Sequence, residues 1–367
     1  MIVTLLISVL IISAIAAALA LLLVIAEYFF ANYGQCTLTI NKEKNVTVEG
    51  GSSLLSALAS QKIFIPSACG GKGTCGLCKV KVLDGAGPLL PTEEPYLSQE
   101  EIKTSFRLSC QVKVRKDLKI EIPEELFNIK QYNCKCEEIR DLIHDIKLFR
   151  FRLVEPSDIK YIPGQFMQLL APAYEKSKED VYRAYSIASD PADKSIIDFI
   201  IRLVPGGICT TYCFNYLKVG DEAKMNGPYG QFRLTDTDAE MIWIAGGSGI
   251  APFVSMLYHM KNTGSRRKTT FYFGANKTKE LFLLDEMKQF EQELPNFKFV
   301  PVVYKPDENE KWNGETGLVT EAAARNNKNL ADTEGCLCGS PGLINASIKV
   351  LKELGMKEEK IFYDKFA

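Results

Sequence analysis

The stretch Cys69-Gly-Gly-Lys-Gly-Thr-Cys75-Gly-Leu-Cys78 places three cysteines within ten residues, with gaps of five and two, and Cys110 follows after 31 more in the context Arg107-Leu-Ser-Cys110-Gln. Four thiolates are the usual complement of an iron–sulfur cluster. Gly70, Gly71, Gly73 and Gly76 let the chain wrap closely, so that backbone N–H groups reach cluster sulfurs. Zinc is the competing reading, because C-x2-C is also half of a zinc site. Structural zinc usually pairs two such knuckles, and no Cys or His lies two to four residues from Cys110. A phosphate-binding glycine loop fails as an explanation, since G-x-x-x-x-G-K-[ST] is absent.

The common 2Fe–2S spacing is C-x4-C-x2-C with a distant fourth Cys, so the first gap here is one residue longer. Around the loop, Thr37 to Ile40 and Val46 to Val48 read as a hairpin, Ser52 to Leu58 as a helix capped by Ser52 or Ser53, and Lys79 to Leu83 as a half-buried strand. Arg107 to Val114 and Leu118 to Ile122 supply two more strands. A small mixed sheet, one helix and a cluster loop predict a β-grasp domain over 34–126, with Pro123 to Tyr132 as linker.

Downstream, 133–235 is dominated by strands punctuated at Pro163-Gly164, Asp190-Pro191, Pro205-Gly206-Gly207 and Gly227-Pro228, which predicts a closed antiparallel barrel. Arg183-Ala-Tyr185-Ser186 sets a cation, a flat aromatic and a hydroxyl on a strand; Arg forks onto a pyrophosphate and Tyr stacks on a planar ring. An ordinary exposed strand explains the same residues. Gly207-Ile-Cys-Thr210 is a glycine turn opening a helix, whose free N–H groups suit phosphate. From 236 to 367 the period changes. Met241 to Ala245 is a buried-type strand followed by Gly246-Gly247-Ser248-Gly249-Ile-Ala-Pro252 and a helix, the dinucleotide-binding arrangement without the G-x-G-x-x-G fingerprint. Strands at 269–273, 297–304 and 334–338 alternate with helices, which predicts a doubly wound α/β domain, and Cys338-Gly-Ser-Pro341 ends the last of them where ligands of such sheets sit.

Ahead of all this, Ile2 to Ala26 contains no charge and only Thr4, Ser8 and Ser13 as polar breaks. At about 1.5 Å per residue it is long enough for a ~30 Å hydrocarbon layer. A signal peptide is disfavoured, since no Lys or Arg precedes the run. Lys42 and Lys44 beyond it favour a cytoplasmic body, and Glu27 marks the interface. Ser13/Ala17, Ala14/Ala18 and Ala16/Ala20 would let another helix approach. A net charge of −1 gives no field for nucleic acid, and eleven cysteines, an odd number clustered as above, fit a reducing compartment better than a disulfide framework.

With these motifs in this order, the chain resembles the ferredoxin-reductase-like flavoproteins with a fused N-terminal ferredoxin. The membrane-type helix, the five-residue cysteine gap, Arg-Leu-x-Cys-Gln and the ending Tyr363-Asp-Lys-Phe366 make it similar, more narrowly, to the NADH-oxidising subunit of the Na+-translocating NADH:quinone oxidoreductase family. The resemblance implies that Cys69, Cys75, Cys78 and Cys110 hold a 2Fe–2S cluster. It implies that Arg183, Tyr185, Ser186, Gly207 and Thr210 bind FAD, and that Gly246, Gly247, Ser248 and Gly249 cradle NADH. Ser186, Cys338 and Phe366 would then stand at the site of hydride transfer, Phe366 shielding the flavin face. Phe273-Gly-Ala-Asn276-Lys277 lacks an Arg for a 2′-phosphate, which favours NADH. The implied place is a bacterial inner membrane, anchored by one helix, with integral membrane subunits as partners and quinone reached through them. Two further readings stand beside it: the reductase of a multicomponent oxygenase, and a membrane-tethered electron carrier without hydride chemistry. Cys134 and Cys136, one residue apart on a strand, read as packing, as do Cys36, Cys209, Cys213 and Cys336. His144 and His259 have no partner at metal-ligand spacing.

Overall fold

The structure, a computed structural model, describes residues 2–30, 33–306 and 311–366. The first element, α1 (Ile2–Phe30), is 29 residues long and outruns the expected 2–26. Its side chains are described at 6–22 and at 24, and all of these are exposed. Among the described residues no helix is long and apolar enough to cross a membrane; the run 6–22 is itself shorter than the ~20 residues of a span. The side chain of Glu27 lies outside the described residues, as do Met1 and Ala367. The chain divides into two compact units, Met1–Ile65 with Gly71–Asn128, and Pro66–Gly70 with Ile129–Ala367.

In the first unit, β1 (Gln35–Ile40) and β2 (Lys44–Glu49) form an antiparallel hairpin. The chain reverses through Asn41 and Lys42 at φ 52° and 66°, a conformation for which Asn is among the better non-glycine residues. Then come α2 (Leu54–Ser60), β3 (Lys79–Asp84), α3 (Gln99–Lys103), β4 (Phe106–Leu108) and β5 (Leu118–Glu121). Ser53 caps α2 by accepting from Ser56 N, as expected. The sheet order is β2-β1-β5-β3-β4, with β1 parallel to β5 and the other pairs antiparallel. This is the expected small mixed sheet. Leu38, Ile40, Leu54, Leu58, Leu108 and Leu118, each 0% exposed, form its core. One expectation is corrected: the strand predicted over 107–114 stops at Leu108, because Gln111 N turns back onto Leu108 O at 2.8 Å.

The second unit opens with β6 (Lys130–Ile143), which starts inside the segment expected to be linker. It is followed by β7 (Ile146–Glu155), β8 (Phe166–Ala171), β9 (Val181–Ser186), β10 (Ile196–Arg202), α4 (Ile208–Asn215) and β11 (Glu222–Tyr229). These strands make one antiparallel sheet, β10-β7-β6-β11-β8-β9, whose two edges meet just past β9 at the bridge Ile187↔Phe199 and the hydrogen bond from Ala188 N to Asp198 O at 2.9 Å. The barrel is therefore only lightly closed. Beyond it run β12 (Met241–Gly246), α5 (Ala251–Asn262), β13 (Thr269–Ala275), α6 (Leu284–Glu293), β14 (Phe297–Val303), β15 (Glu315–Thr316), α7 (Val319–Asn326), β16 (Glu334–Gly339), α8 (Pro341–Glu353) and β17 (Ile361–Lys365). Their sheet is parallel throughout, in the order β15-β14-β13-β12-β16-β17. Phe253 and Met256 of α5 and Met287 of α6 bury against one face, and Ala322 of α7 with Ile344 and Leu351 of α8 against the other. Helices on both faces make the domain doubly wound, as predicted; β15 and β17 were not foreseen. Ile146, Leu148 and Ile200 of the barrel share one core with Trp243, Phe253 and Phe271 of the parallel sheet. That common core is why barrel and sheet form a single unit.

Candidate functional site

Gly70, Gly71, Gly73 and Gly76 all have positive φ, at 62°, 90°, 74° and 68°. The cysteine loop is thus built on the left-handed conformations that glycine alone adopts without cost. Within the first unit, Cys78 and Cys110 lie side by side as hydrogen-bonded thiols, and Ser109 N donates to Cys78 O at 2.8 Å. The Cys110 thiol as partner, and then burial, push the Cys78 thiol well up; a cation at the site would reverse this preference and favour thiolate. Among the described residues no three His, Cys, Asp or Glu side chains gather closely enough to hold a metal ion. Cys78 and Cys110 are thus neighbours in the first unit. Cys75 is in the same unit, whereas Cys69 lies in the segment Pro66–Gly70 of the other.

The turn that carries Cys110 is braced by an ion pair the sequence did not disclose. Glu93 is 0% and Arg107 is 7% exposed. Arg107 Nε donates to Glu93 Oε1 at 3.0 Å, and the same guanidinium donates to Gly87 O and Pro88 O at 3.0 and 2.9 Å. Glu93 also accepts from Leu90 N and Leu108 N at 3.1 and 2.9 Å. Both buried charges are thus multiply bonded, the condition under which such a pair persists.

At the end of β9, Tyr185 is half-buried and packs on the barrel core, with its hydroxyl buried beside the Cys209 thiol. Arg183 Nη1 donates to Tyr182 O at 2.8 Å, and a Cβ on Gly70 would fall 1.4 Å from that nitrogen. The guanidinium thus rests on Gly70. Helix α4 begins at Gly207 with no side-chain cap, which leaves its first N–H groups for an anion. Thr210 is buried, and its Oγ1 accepts from Val204 N at 3.2 Å. That hydroxyl buttresses the preceding loop, and a Cβ on Gly207 would sit 2.5 Å from it.

The glycine turn Gly246 to Gly249 follows β12 at the carboxyl end of the parallel sheet. A Cβ on Gly249 would lie 2.5 Å from Cys338 O, so only glycine permits this approach of the turn to the end of β16. Gly247, at φ 57°, faces the Arg202 guanidinium of the barrel, and Ser248 is half-buried. Cys338 pairs with Asp364 across β16 and β17, and Phe366 N donates to Gly339 O at 3.0 Å. The Phe366 ring packs on the core that contains Cys338. Ser186 Oγ donates to Asp364 Oδ2 at 3.1 Å. Ser186, Cys338 and Phe366, expected to work together, are thereby brought to one place where the barrel meets the sheet.

Asp364 is the residue sequence reasoning missed. It stands within the C-terminal Tyr-Asp-Lys-Phe, and its position two before an aromatic at a strand end was the available signal. Burial pushes its carboxyl up, opposed by the Ser186 hydrogen bond. Burial, and next the charge of Asp364, push the Cys338 thiol well up, so it stays protonated. Of the remaining cysteines, Cys134 Sγ donates to Ala223 O at 3.1 Å and packs in the barrel core with Cys136, Cys209 and Cys213. A cavity of about 880 Å³ lined by Tyr161, Arg233, His259 and Arg266 holds none of the predicted site residues.

Comparison with known proteins matches these regions in order. The 2Fe-2S iron-sulfur cluster binding domain family matches residues 38–115, the oxidoreductase FAD-binding domain family 133–234, and the oxidoreductase NAD-binding domain family 243–349. The chain thus carries domains for a 2Fe–2S cluster, FAD and NADH. Among solved structures, the cytochrome P450 reductase GcoB of Amycolatopsis superposes with a TM-score of 0.71 at 26% identity, over 90% of this chain and 98% of that one. The ferredoxin reductase in carbazole 1,9a-dioxygenase follows at 0.69 and 22%, over 91% and 98%, a likeness of fold alone. In sequence, the chain is 36% identical to the F subunit of the Na(+)-translocating NADH-quinone reductase of Neisseria gonorrhoeae, over 95% of this chain and 96% of that protein. It is 35% identical to the corresponding protein of a Marinomonas species over 96% of each. With shared domains in the same order along nearly the whole length, the chain belongs to the family of the Na(+)-translocating NADH-quinone reductase F subunit.

Proposed function

We propose that the chain is the NADH-oxidising flavoprotein subunit of a membrane quinone reductase that translocates sodium, and that its electrons leave through the 2Fe–2S domain. The observation that carries this reading is the meeting of Ser186, Asp364 and Cys338 where barrel and parallel sheet join. When bound, FAD supplies acceptance of a hydride from NADH, and the 2Fe–2S cluster supplies acceptance of electrons one at a time. Arg183 and the α4 start at Gly207 hold the flavin pyrophosphate, with Thr210 shaping the loop, and Tyr185 covers the ring. Ser186, donating to Asp364, keeps its oxygen lone pairs for the ring edge. Burial favours the neutral form of both Asp364 and Cys338 beside the nicotinamide position. Gly246, Gly247, Ser248 and Gly249 admit the NADH pyrophosphate, and Phe366 covers the nicotinamide position. Cys69, Cys75, Cys78 and Cys110 hold the cluster. The working divisions are 34–126, 133–235 and 236–367.

Helix α1 is the single-pass anchor of this reading, with exposed Leu10, Ile12 and Leu22, at 68%, 66% and 64%, turned to lipid. The body lies on the cytoplasmic side of a bacterial inner membrane, and integral membrane subunits relay electrons to quinone. Anaerobic stopped-flow reduction tests the chemistry. NADH should bleach the flavin faster than NADPH, and Ser186→Ala should slow bleaching by about 100-fold, the cost of a small misplacement, with FAD still bound. Faster bleaching by NADPH would overturn the NADH assignment. Copurification in mild detergent tests the setting: membrane subunits are expected, and recovery of a soluble oxygenase instead would make this the reductase of such a system.

A further inference from the structure

After β4 the chain turns through Ser109, Cys110 and Gln111, and the Gln111 side chain folds back onto its neighbour. Gln111 Nε2 donates to Cys110 Sγ at 3.5 Å, and Gln111 Oε1 accepts from Thr92 Oγ1 at 3.0 Å. The amide sits where a Cβ on Gly73 would be, 2.7 Å from Nε2, so a glycine of the cysteine loop makes the room for it. Thr92 is held in turn, since Glu93 beside it is locked to Arg107, and Arg107 ties down Gly87 and Pro88. An exposed hydroxyl, a half-buried amide and a buried thiol thus form a directed chain whose last link is a hydrogen on sulfur.

A primary amide has two ends, and only the NH2 end can donate. The Thr92 hydroxyl, by donating to the carbonyl end, fixes which end faces Cys110. Hydrogen bonds to cluster sulfurs favour the more negative, reduced state and raise the potential. We propose that Gln111 raises the reduction potential of the cluster by donating to Cys110 Sγ, and that Thr92 is the positioning residue that sets the amide's direction. This rests on the reading of Cys110 as a cluster ligand. It extends that reading, because Gln111 and Thr92 are not ligands and change no ligand count.

The test is an anaerobic redox titration of the full-length protein with its cofactors, followed by EPR of the reduced cluster, with the flavin in the same titration as internal reference. Gln111→Leu should lower the reduced-to-oxidised ratio about tenfold at a fixed potential, about 59 mV for one electron, with iron content and flavin midpoint unchanged. Thr92→Val should shift the midpoint the same way by less, and Thr92→Ser should restore it. An unmoved midpoint in Gln111→Leu with full iron content would refute the proposal, as would equal shifts in Thr92→Val and Thr92→Ser. Should Gln111→Leu fail to assemble a cluster, the two Thr92 variants decide. Cys110→Ala separates the premise: an intact EPR signal there removes Cys110 as a ligand, whereas loss of the signal with an unmoved Gln111→Leu midpoint defeats the tuning role alone.

Discussion

The two glycine loops of this chain use the same residue for different physical reasons. In the cysteine loop, Gly70, Gly71, Gly73 and Gly76 all take positive φ, and at Gly70 and Gly73 a Cβ would also meet Arg183 and Gln111, so Gly71 is where torsion acts without crowding. At Gly71 an added Cβ would find its nearest neighbours at 3.9 and 4.0 Å. In the nucleotide loop, Gly246 has an ordinary extended φ of −151°, and Gly249 is needed because a Cβ would stand 2.5 Å from Cys338 O. The first loop is shaped by torsion and braced by a buried ion pair. The second turns through one positive φ at Gly247 and is otherwise shaped by lack of room at Gly249.

The largest effect is expected at the brace. Arg107→Met leaves Glu93 buried and unpaired, which should cost about 3–5 kcal/mol and lower the urea midpoint for loss of cluster absorbance. NADH should still bleach the flavin, because the brace lies wholly in the first unit; a coupled loss of flavin reduction would show that the units do not act separately. A matched pair sharpens the contrast. Gly249→Ala should overpack the end of β16 at about 1–3 kcal/mol and raise KM for NADH, whereas Gly71→Ala should cost about 1–2 kcal/mol of left-handed backbone with KM unchanged. Equal KM values in the two variants would remove the distinction between room and torsion.

The smallest effect concerns Asp364. Its carboxyl binds a proton more tightly folded than unfolded, so its contribution is fully present below the ordinary carboxylate pKa and declines as pH rises from there through the folded value. Asp364→Asn cannot ionise. Its thermal midpoint should therefore exceed that of the parent at pH 7, with the gap closing toward pH 4; a gap that widened on acidification would contradict the assigned direction.

Much of this was legible because the chemistry clusters locally. The cysteine spacing, Arg-x-Tyr-Ser and the Gly-Gly-Ser-Gly turn each occupy ten residues or fewer, and local patterns also gave the mixed sheet, the barrel strands and the doubly wound order. What escaped was fixed by distant partners. Asp364 meets Ser186 across 178 positions, a separation no periodicity spans. Arg107 to Val114 alternates like a strand, yet the chain must leave the sheet after Leu108 to place Cys110 beside Cys78. Nearer at hand, the Thr210 hydroxyl is engaged by the Val204 amide and carbonyl six residues before it, a local link the sequence pattern did not signal. The β17 edge depended on pairing with β16, which a short C-terminal run cannot announce.

The shared core of barrel and parallel sheet has an optical consequence. The chain contains two tryptophans, and both belong to that core: Trp243 is fully buried in it and Trp312 packs against it. The ferredoxin unit contains neither. Indole emission therefore reports the flavin and nucleotide half alone, and visible cluster absorbance the other, so one sample offers two separate optical windows on which half gives way first.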